Sequence, residues 1–191
     1  MNLLCDRILA EDKHLGNGVL KVDSFMNHQV DPSLMKYVGE EVARRFADAK
    51  ATRILTAETS GIAPALAAGM CMNLPVVFAR KHQPITMAPE PYRESSISPT
   101  HGKQVELIVS TEYLRAGDRV LIVDDFLSSG QTILALHRLI LQSRAVPVGV
   151  ACVIEKAFKK GRDELKELSV PIESIAIIER FDGDRIVLGG V

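Results

Sequence analysis

Residues 120–132, which read VLIVDDFLSSGQT, constrain the fold more than any other part of the sequence. Residues 120–123 are an uninterrupted apolar run rich in β-branched side chains, and such a run predicts a strand buried on both faces of a parallel sheet. The adjacent carboxylates Asp124 and Asp125 end this run, and a small polar turn at 128–132 then leads into a helix. Because ligands of open α/β sheets bind beyond the carboxyl ends of the strands, this succession predicts a binding site.

The small polar turn predicts a cradle for phosphate. Small side chains let backbone N–H groups converge on an anion, and the N-terminus of the following helix adds partial positive charge. An acidic pair beside the cradle would repel phosphate, so its expected partners are sugar hydroxyls or a divalent cation. The implied ligand is a phosphorylated sugar, although an acidic pair alone also occurs in metal sites, phospho-acceptor sites and ordinary strand ends. The turn consists of Ser128, Ser129, Gly130, Gln131 and Thr132.

Length and composition indicate a single domain over residues 1–191. The formal net charge of −1 provides no basic field for nucleic acid. No apolar run reaches the ~18 residues that a membrane span needs. The first residues, MNLLCDRILAEDK, carry charges too early for a signal peptide, and the three cysteines are widely spaced, as reduced thiols are. We therefore expect a cytoplasmic protein without nucleic-acid or membrane partners.

Hydrophobic spacing outlines the first half of the chain as helices around a first core strand. Asp31 and Pro32 are typical of a helix start, with a capping side chain followed by proline at the first helical position. The succession of strand, anion-binding turn and helix occurs a second time, over residues 53–72. The predicted elements are a helix over 1–16, an extended or hairpin segment over 19–31, a helix over 31–50, a strand over 53–57, a turn over 58–61 and a helix over 62–72.

The second half predicts further strands and one long loop. Residues 82–103 contain four prolines and little periodicity, and a loop of this length in a compact domain is usually functional or mobile. The other predicted elements are a strand over 75–79, an edge strand over 104–110, a helix over 129–144, a strand over 147–154, a short charged helix, and late edge strands over 171–179 and 185–188. The predicted fold is α/β, with parallel core strands at 53–57, 75–80, 119–124 and 147–154 joined by crossover helices.

Residues 120–132 resemble the phosphoribosyl pyrophosphate (PRPP) signature of the type I phosphoribosyltransferases. Other motifs follow in that family's order and resemble its xanthine branch, so that the resemblance covers nearly the whole chain. It implies the type I fold, a mostly parallel central sheet flanked by helices, with a hood from about 1–31 and 157–191 and a mobile loop at about 82–103. These motifs are VLKVDSFMNHQVDP at 19–32, ETSGIAPA at 58–65, PVVFARK at 75–81 and VIEKAFKKGRDEL at 153–165.

The resemblance also implies an activity. A member of this branch is a homodimeric, Mg²⁺-dependent purine salvage enzyme, a glycosyltransferase that joins N9 of xanthine to C1 of PRPP. The products are xanthosine 5′-monophosphate and pyrophosphate. The Mg²⁺ would be carried by PRPP near Asp124 and Asp125, without direct protein ligands. The expected partners are therefore these small molecules and a second copy of the chain.

Residue roles follow from the same resemblance. The catalytic pair Asp124 and Asp125 would hold the ribose hydroxyls and support charge at C1, and the turn 128–132 would hold the 5′-phosphate. The residues implied for pyrophosphate are Glu58, Thr59, Ser60 and Gly61, with Arg80 and Lys81 nearby. Those implied for xanthine are Leu20, Asn27, Phe126 and Lys156. Each of these residues also has an ordinary structural interpretation. By composition alone, Arg80 and Lys81 are equally consistent with solvated surface residues, Asn27 with a loop residue, and Lys156 with a surface lysine.

One departure from the family pattern bears on base chemistry. Ser128-Ser129-Gly130 stands where many members carry an acidic or small residue followed by Thr-Gly. Some purine relatives place an Asp at the position of Ser128, where it assists proton transfer. Alternative specificities are guanine, hypoxanthine or adenine. A second alternative is a PRPP-sensing regulator of the same fold, which usually adds a DNA-binding module or a basic surface.

Overall fold

The structure, a computed structural model, describes residues 2–11, 20–97, 104–183 and 185–190. Its helices are α1 (Leu3–Glu11), α2 (Pro32–Arg45), α3 (Ile62–Met72), α4 (Gln131–Gln142) and the single turn α5 (Gly161–Glu164). Its strands are β1 (Arg53–Ala57), β2 (Val76–Ala79), β3 (Tyr92–Ile97), β4 (Gln104–Val109), β5 (Arg119–Leu127), β6 (Val146–Lys156), β7 (Ile172–Asp182) and β8 (Arg185–Leu188).

A six-stranded sheet forms the centre of the fold in the order β2-β1-β5-β6-β7-β8. Neighbouring strands are parallel from β2 through β7, and β8 pairs antiparallel with β7. Because strand order reverses between β1 and β5, the carboxyl ends of these two strands form the crevice in which α/β sheets bind ligands.

The central strand β5 is buried because both faces of the sheet are covered. On one face α1, α2 and α3 pack against residues such as Leu121 and Val123. On the other face α4 packs against Val120 and Ile122, together with the separate hairpin formed by β3 and β4. The uninterrupted apolar run predicted this two-sided burial correctly.

Two segments differ from the sequence prediction. The long loop predicted at 82–103 contains strand β3, which pairs antiparallel with β4, and residues 98–103 lie outside the described part of the chain. The strand predicted at 104–110 is therefore one arm of this hairpin. The segment predicted to be extended at 19–31 instead contains a π-helical turn, Asp23–Asn27. Helical spacing explains that turn, because Val22, Phe25 and Met26 all point into the core.

The C-terminal strands also differ. β7 is not an edge strand, because it lies inside the sheet and extends the parallel set beyond the strands predicted. Of these two strands, β8 is the one at a sheet edge. The N-terminal helix ends at Glu11 in the structure, and the remainder of the predicted helix over 1–16 lies outside the described residues. Within the described ranges, no helix is both long and apolar enough to cross a bilayer.

Candidate active site

A cleft of about 520 Å³ opens at the carboxyl ends of β1, β5 and β6. It brings together nearly all of the residues that the sequence singled out. Gly61 and Arg80 are the predicted site residues that do not line it. The predicted residues that do are Leu20, Asn27, Glu58, Thr59, Ser60, Lys81, Asp124, Asp125, Phe126, Ser128, Ser129, Gly130, Gln131, Thr132 and Lys156.

The acidic pair lies on the last part of β5, which continues to Leu127 rather than ending at the carboxylates. Asp124 is 6% exposed. Burial raises the pKa of Asp124 well above its ordinary value, and the charge and hydrogen bonding of Asp125 raise it further. The Asp125 N–H donates to Asp124 Oδ1 at 3.1 Å, and the Phe126 N–H donates to Asp125 Oδ1 at 2.9 Å. The pair therefore offers a buried carboxyl group beside a more accessible one.

The phosphate turn begins directly after β5 and ends at the N-terminus of α4. Gly130 has φ +77°, a left-handed conformation that glycine adopts without steric cost. No side chain within the described ranges caps α4 at Gly130, so the first N–H groups of the helix are available to a ligand. This geometry is that of an anion site at a helix N-terminus.

The turn between β1 and α3 forms the opposite wall of the cleft. The Glu58–Thr59 peptide bond is cis. The Lys81 N–H donates to Glu58 Oε1 at 2.7 Å, which ties this turn to the end of β2. Gly61 lies beneath the wall, because a Cβ there would come within 2.3 Å of Thr56 Oγ1 and 2.9 Å of Asp124 Oδ1. Glycine is thus required for the close approach of the turn to the acidic pair.

Arg80 supports this wall without reaching the cleft. Its Nε lies 3.9 Å from Glu58 Oε2, and its guanidinium lies 5.8 Å from the ring centroid of Phe78. Its backbone exchanges two hydrogen bonds of 2.8 Å with Ile108, which join β2 to the hairpin. The two basic residues after β2 therefore have different positions. Lys81 lines the cleft, whereas Arg80 supports its wall.

The far end of the cleft combines an aromatic face with a lysine. Lys156 Nζ lies 4.8 Å from the ring centroid of Phe126. Burial lowers the pKa of Lys156, and the neighbouring charge of Lys159 lowers it further. Asn27, at the end of the π-helical turn, and the buried Leu20 close this end from the N-terminal side.

Comparisons with known proteins identify the family of the chain. A family model for the phosphoribosyl transferase domain matches residues 39–184. A curated xanthine phosphoribosyltransferase of Deinococcus deserti is 49% identical over 192 residues, which cover 100% of both chains. That of Lacticaseibacillus casei is 46% identical over 98% of this chain and 97% of its own. The chain belongs to the phosphoribosyltransferase family.

The type I phosphoribosyltransferase fold predicted from the sequence is also confirmed. The crystal structure of adenine phosphoribosyltransferase from Thermoanaerobacter pseudethanolicus matches with a TM-score of 0.67 at 24% identity. The match covers 77% of this chain and 81% of that chain. At this identity the similarity concerns the fold.

The cleft of this phosphoribosyltransferase includes residues that the sequence analysis missed. Ser96, on β3, is buried in the cleft lining, and its Oγ has no hydrogen-bond partner within the described structure. Lys159 offered a signal, since it lies in the same motif as Lys156, at 153–165, whereas nothing in the local sequence marks Ser96. The missed lining residues are Lys21, Asp23, Ala57, Ser96, Val105, Leu107, Ile133 and Lys159.

Proposed function

We propose that this phosphoribosyltransferase transfers the 5-phosphoribosyl group of PRPP to N9 of xanthine, which yields xanthosine 5′-monophosphate and pyrophosphate in purine salvage. The proposal is supported above all by one observation. A single cleft is lined by an anion-binding turn, an acidic pair, and a lysine beside an aromatic face. These groups match the phosphate, the ribose and the base of the product. The names of the relatives at 49% and 46% identity support xanthine as the base.

The acidic pair accounts for ribose binding and for charge at C1. Asp125, the more accessible carboxylate, accepts hydrogen bonds from ribose hydroxyls and stabilises the positive charge that develops at C1 as pyrophosphate leaves. Asp124, whose raised pKa favours its protonated form, can donate a hydrogen bond in the same site. Preorganised charges of this kind act strongly where water is excluded.

The two anion-binding walls orient PRPP between them. Backbone N–H groups of the turn 128–132 and of the first turn of α4 bind the 5′-phosphate. The turn at 58–61 and Lys81 bind the pyrophosphate from the opposite wall. Fixing both ends of one substrate places C1 next to the base and removes part of the entropic barrier to reaction.

The base end of the cleft distinguishes xanthine by its two carbonyl groups. Lys156, which has three donors and no acceptor, donates to the oxygen at C6, and Phe126 lies against the purine face. The amide of Asn27 donates to the oxygen at C2, together with the backbone around Leu20. No Asp stands at the position of Ser128, and this suits xanthine, whose two carbonyls delocalise the ring anion and reduce the need for a strong base.

Magnesium fits the residues present. Mg²⁺ keeps several waters and is usually held by one or two carboxylates plus substrate phosphates. Asp125 offers such a carboxylate at the cleft, beside the buried Asp124. The ion would therefore enter mainly with PRPP, and it would neutralise charge on the departing pyrophosphate.

An exposed apolar face supports the homodimer. Leu66 and Met70 on α3 are 54% and 77% exposed, and the neighbouring Phe78 on the edge strand β2 is exposed as well. Leu66 and Met70 are four residues apart and so share one side of the helix. A second copy of the chain that packs on this face would cover it.

We also propose the domain extent, the cellular location, the hood and the lid of this enzyme. Residues 1–191 form one domain of a cytoplasmic enzyme, consistent with free thiols at Cys5, Cys71 and Cys152. The hood consists of about 1–31 and 157–191, and Asn2 Nδ2 links its first part to β7 by donating to Ile175 O at 2.8 Å. The hairpin segment within 82–103 is the lid, because it carries Ser96 into the cleft.

The test is an assay of base consumption with purified protein, PRPP and Mg²⁺. Xanthine, hypoxanthine, guanine and adenine are supplied separately, and the highest kcat/KM is expected for xanthine. Preference for another base would reassign the specificity. PRPP binding without turnover of any base would instead favour the regulatory alternative.

Two variants test how the base is recognised. Lys156→Ala is expected to lower kcat/KM for xanthine, hypoxanthine and guanine alike, because all three share the oxygen at C6. Asn27→Ala is expected to lower the preference for xanthine, measured as its kcat/KM divided by that of hypoxanthine, by roughly ten-fold, or about 1.4 kcal/mol. The reason is that the substitution removes the donor to the oxygen at C2. His28→Ala and Lys160→Ala are matched controls, since both are exposed and neither lines the cleft. An unchanged ratio in Asn27→Ala would mean that Asn27 does not contact C2.

A further inference from the structure

An ion pair with a buried carboxylate lies directly behind the base end of the cleft. Glu155, the residue before Lys156, is 3% exposed. Arg162 Nε lies 2.9 Å from Glu155 Oε1, and Arg162 Nη2 lies 2.5 Å from Glu155 Oε2. Ser174 Oγ donates to the same Oε2 at 2.7 Å, and Arg162 Nη1 donates to Ile172 O at 2.9 Å. One arginine therefore connects β6, β7 and the chain segment that follows β6.

The charges in this network are balanced. Burial by itself raises the pKa of Glu155, but hydrogen bonds from Arg162 and Ser174 outweigh burial and leave that pKa below its ordinary value. Because the carboxylate of Glu155 is enclosed, loss of Arg162 leaves its charge uncompensated in the interior. Such a pair favours one arrangement of the segments that it joins.

The residue next to Arg162 packs against the phosphate turn. A Cβ on Gly161 would lie 2.1 Å from Ser128 O and 2.9 Å from Gly130 N. In the reverse direction, a Cβ on Gly130 would lie 3.0 Å from Gly161 O. The position of Gly161 therefore fixes how far the turn at 128–130 can move.

The strand register makes the same connection from the other side. Glu155 pairs with Leu127, the last residue of β5 before the turn. The network thus meets the phosphate turn twice, through the sheet at Leu127 and through Gly161. Neither Glu155 nor Arg162 lines the cleft, so both act through other residues.

We propose that Arg162 is a positioning residue for PRPP: held by Glu155 and Ser174, it presses Gly161 against the phosphate turn and fixes the geometry of the 5′-phosphate site. The inference rests on the proposed function for the identity of the ligand. It goes further in assigning the affinity for PRPP partly to a residue that does not touch it.

The experiment measures PRPP binding by calorimetry, with Mg²⁺ and no base, alongside steady-state kinetics and thermal unfolding. Arg162→Ala is expected to weaken PRPP binding and to raise the KM for PRPP by ten-fold or more. The ratio of kcat/KM between xanthine and hypoxanthine should stay unchanged, because Asn27 belongs to the opposite side of the cleft. Arg162→Lys should restore part of the lost affinity.

Arg45→Ala is the matched control. Arg45 also holds β7, through hydrogen bonds to Ser174 O at 2.9 Å and Glu173 Oε2 at 3.3 Å, but it lies on α2 and does not line the cleft. It is expected to lower the unfolding temperature and to leave PRPP affinity unchanged. Wild-type PRPP affinity in Arg162→Ala, or an equal loss of affinity in Arg45→Ala, would overturn the proposal.

Two further variants keep the test decisive if Arg162→Ala does not fold. Glu155→Gln preserves the shape of the side chain and removes the negative charge that pairs with Arg162. Gly161→Ala displaces the phosphate turn by steric contact and leaves the ion pair intact. Both are expected to weaken PRPP binding, and wild-type affinity in both would overturn the proposal. Because binding is measured without base, a failure of xanthine turnover in the wild-type protein would count against the proposed function and leave this inference testable.

Discussion

Asp124 shows at the scale of one residue how binding and stability oppose each other. A carboxyl group that is almost fully buried beside a second carboxyl loses hydration and gains repulsion, and both effects raise its pKa. Between the ordinary pKa of 3.8 and the raised value, the unfolded chain releases this proton while the folded chain retains it. The contribution of Asp124 to stability therefore falls as the pH rises through that interval.

We expect Asp124→Asn to stabilise the folded protein at pH 7 and to lower turnover. Asparagine keeps the shape of the side chain and has no proton to lose, so the unfolding free energy should rise by about 1–2 kcal/mol, a common gain when a functional site is relaxed. Urea unfolding at pH 7 and at pH 3.5 measures this, and the gain should shrink at the lower pH. A variant less stable than wild type at pH 7 would contradict this account.

Site residues that stand together in a contiguous motif were predictable from the sequence, whereas isolated site residues were not. Asp124, Asp125 and the phosphate turn stand together in the sequence, and the chemistry of each supports that of the others. Ser96, in contrast, lies outside every quoted motif and reaches the same cleft only because the hairpin folds against the sheet. No local spacing marks such residues.

At the scale of elements, regular hydrophobic patterns predicted well. The strand at 53–57 and the helix at 62–72 match β1 and α3. β3 was missed because its sequence, YRESSI, is largely polar and follows several prolines. Its stability comes from outside the strand, since Arg138 Nε on α4 donates to Glu94 at 2.9 Å and Gln142 Nε2 donates to Arg93 O at 3.0 Å. Propensity alone does not contain such tertiary contacts.

The packing of α2 on the sheet depends on one glycine. A Cβ on Gly149 would lie 2.3 Å from Phe46 Cε1, so Gly149→Val forces the end of α2 away from β6. We expect a loss of about 1–3 kcal/mol in the free energy of unfolding, the usual cost of overpacking a core. Urea unfolding measures it, with Gly190→Ala as the control. Apart from its chain neighbours, no atom of the described residues lies within 4 Å of a Cβ at position 190. Phe46→Leu in the same chain should recover part of the loss, and a neutral Gly149→Val would contradict the prediction.

At the scale of the whole molecule, the exposed face of α3 predicts self-association. Leu66→Glu combined with Met70→Glu places charge on that face. If the proposed dimer uses this face, we expect the double variant to be monomeric at concentrations where the wild type associates. Sedimentation velocity measures this. Leu141→Glu is the matched control, since Leu141 is a leucine 54% exposed on α4, on the other face of the sheet. A dimer that survives the double substitution would require a different interface.

The order of strands in the sheet also determines how the nascent chain matures on the ribosome. β1 ends at Ala57, but its neighbour β5 begins only at Arg119, so one edge of β1 has no partner until that residue has been synthesised. At translation rates of about 5–20 residues per second, this interval lasts several seconds. Throughout it an apolar strand edge is available for pairing with other chains. The interval between the emergence of α3 and that of β5 therefore carries a risk of aggregation during biosynthesis.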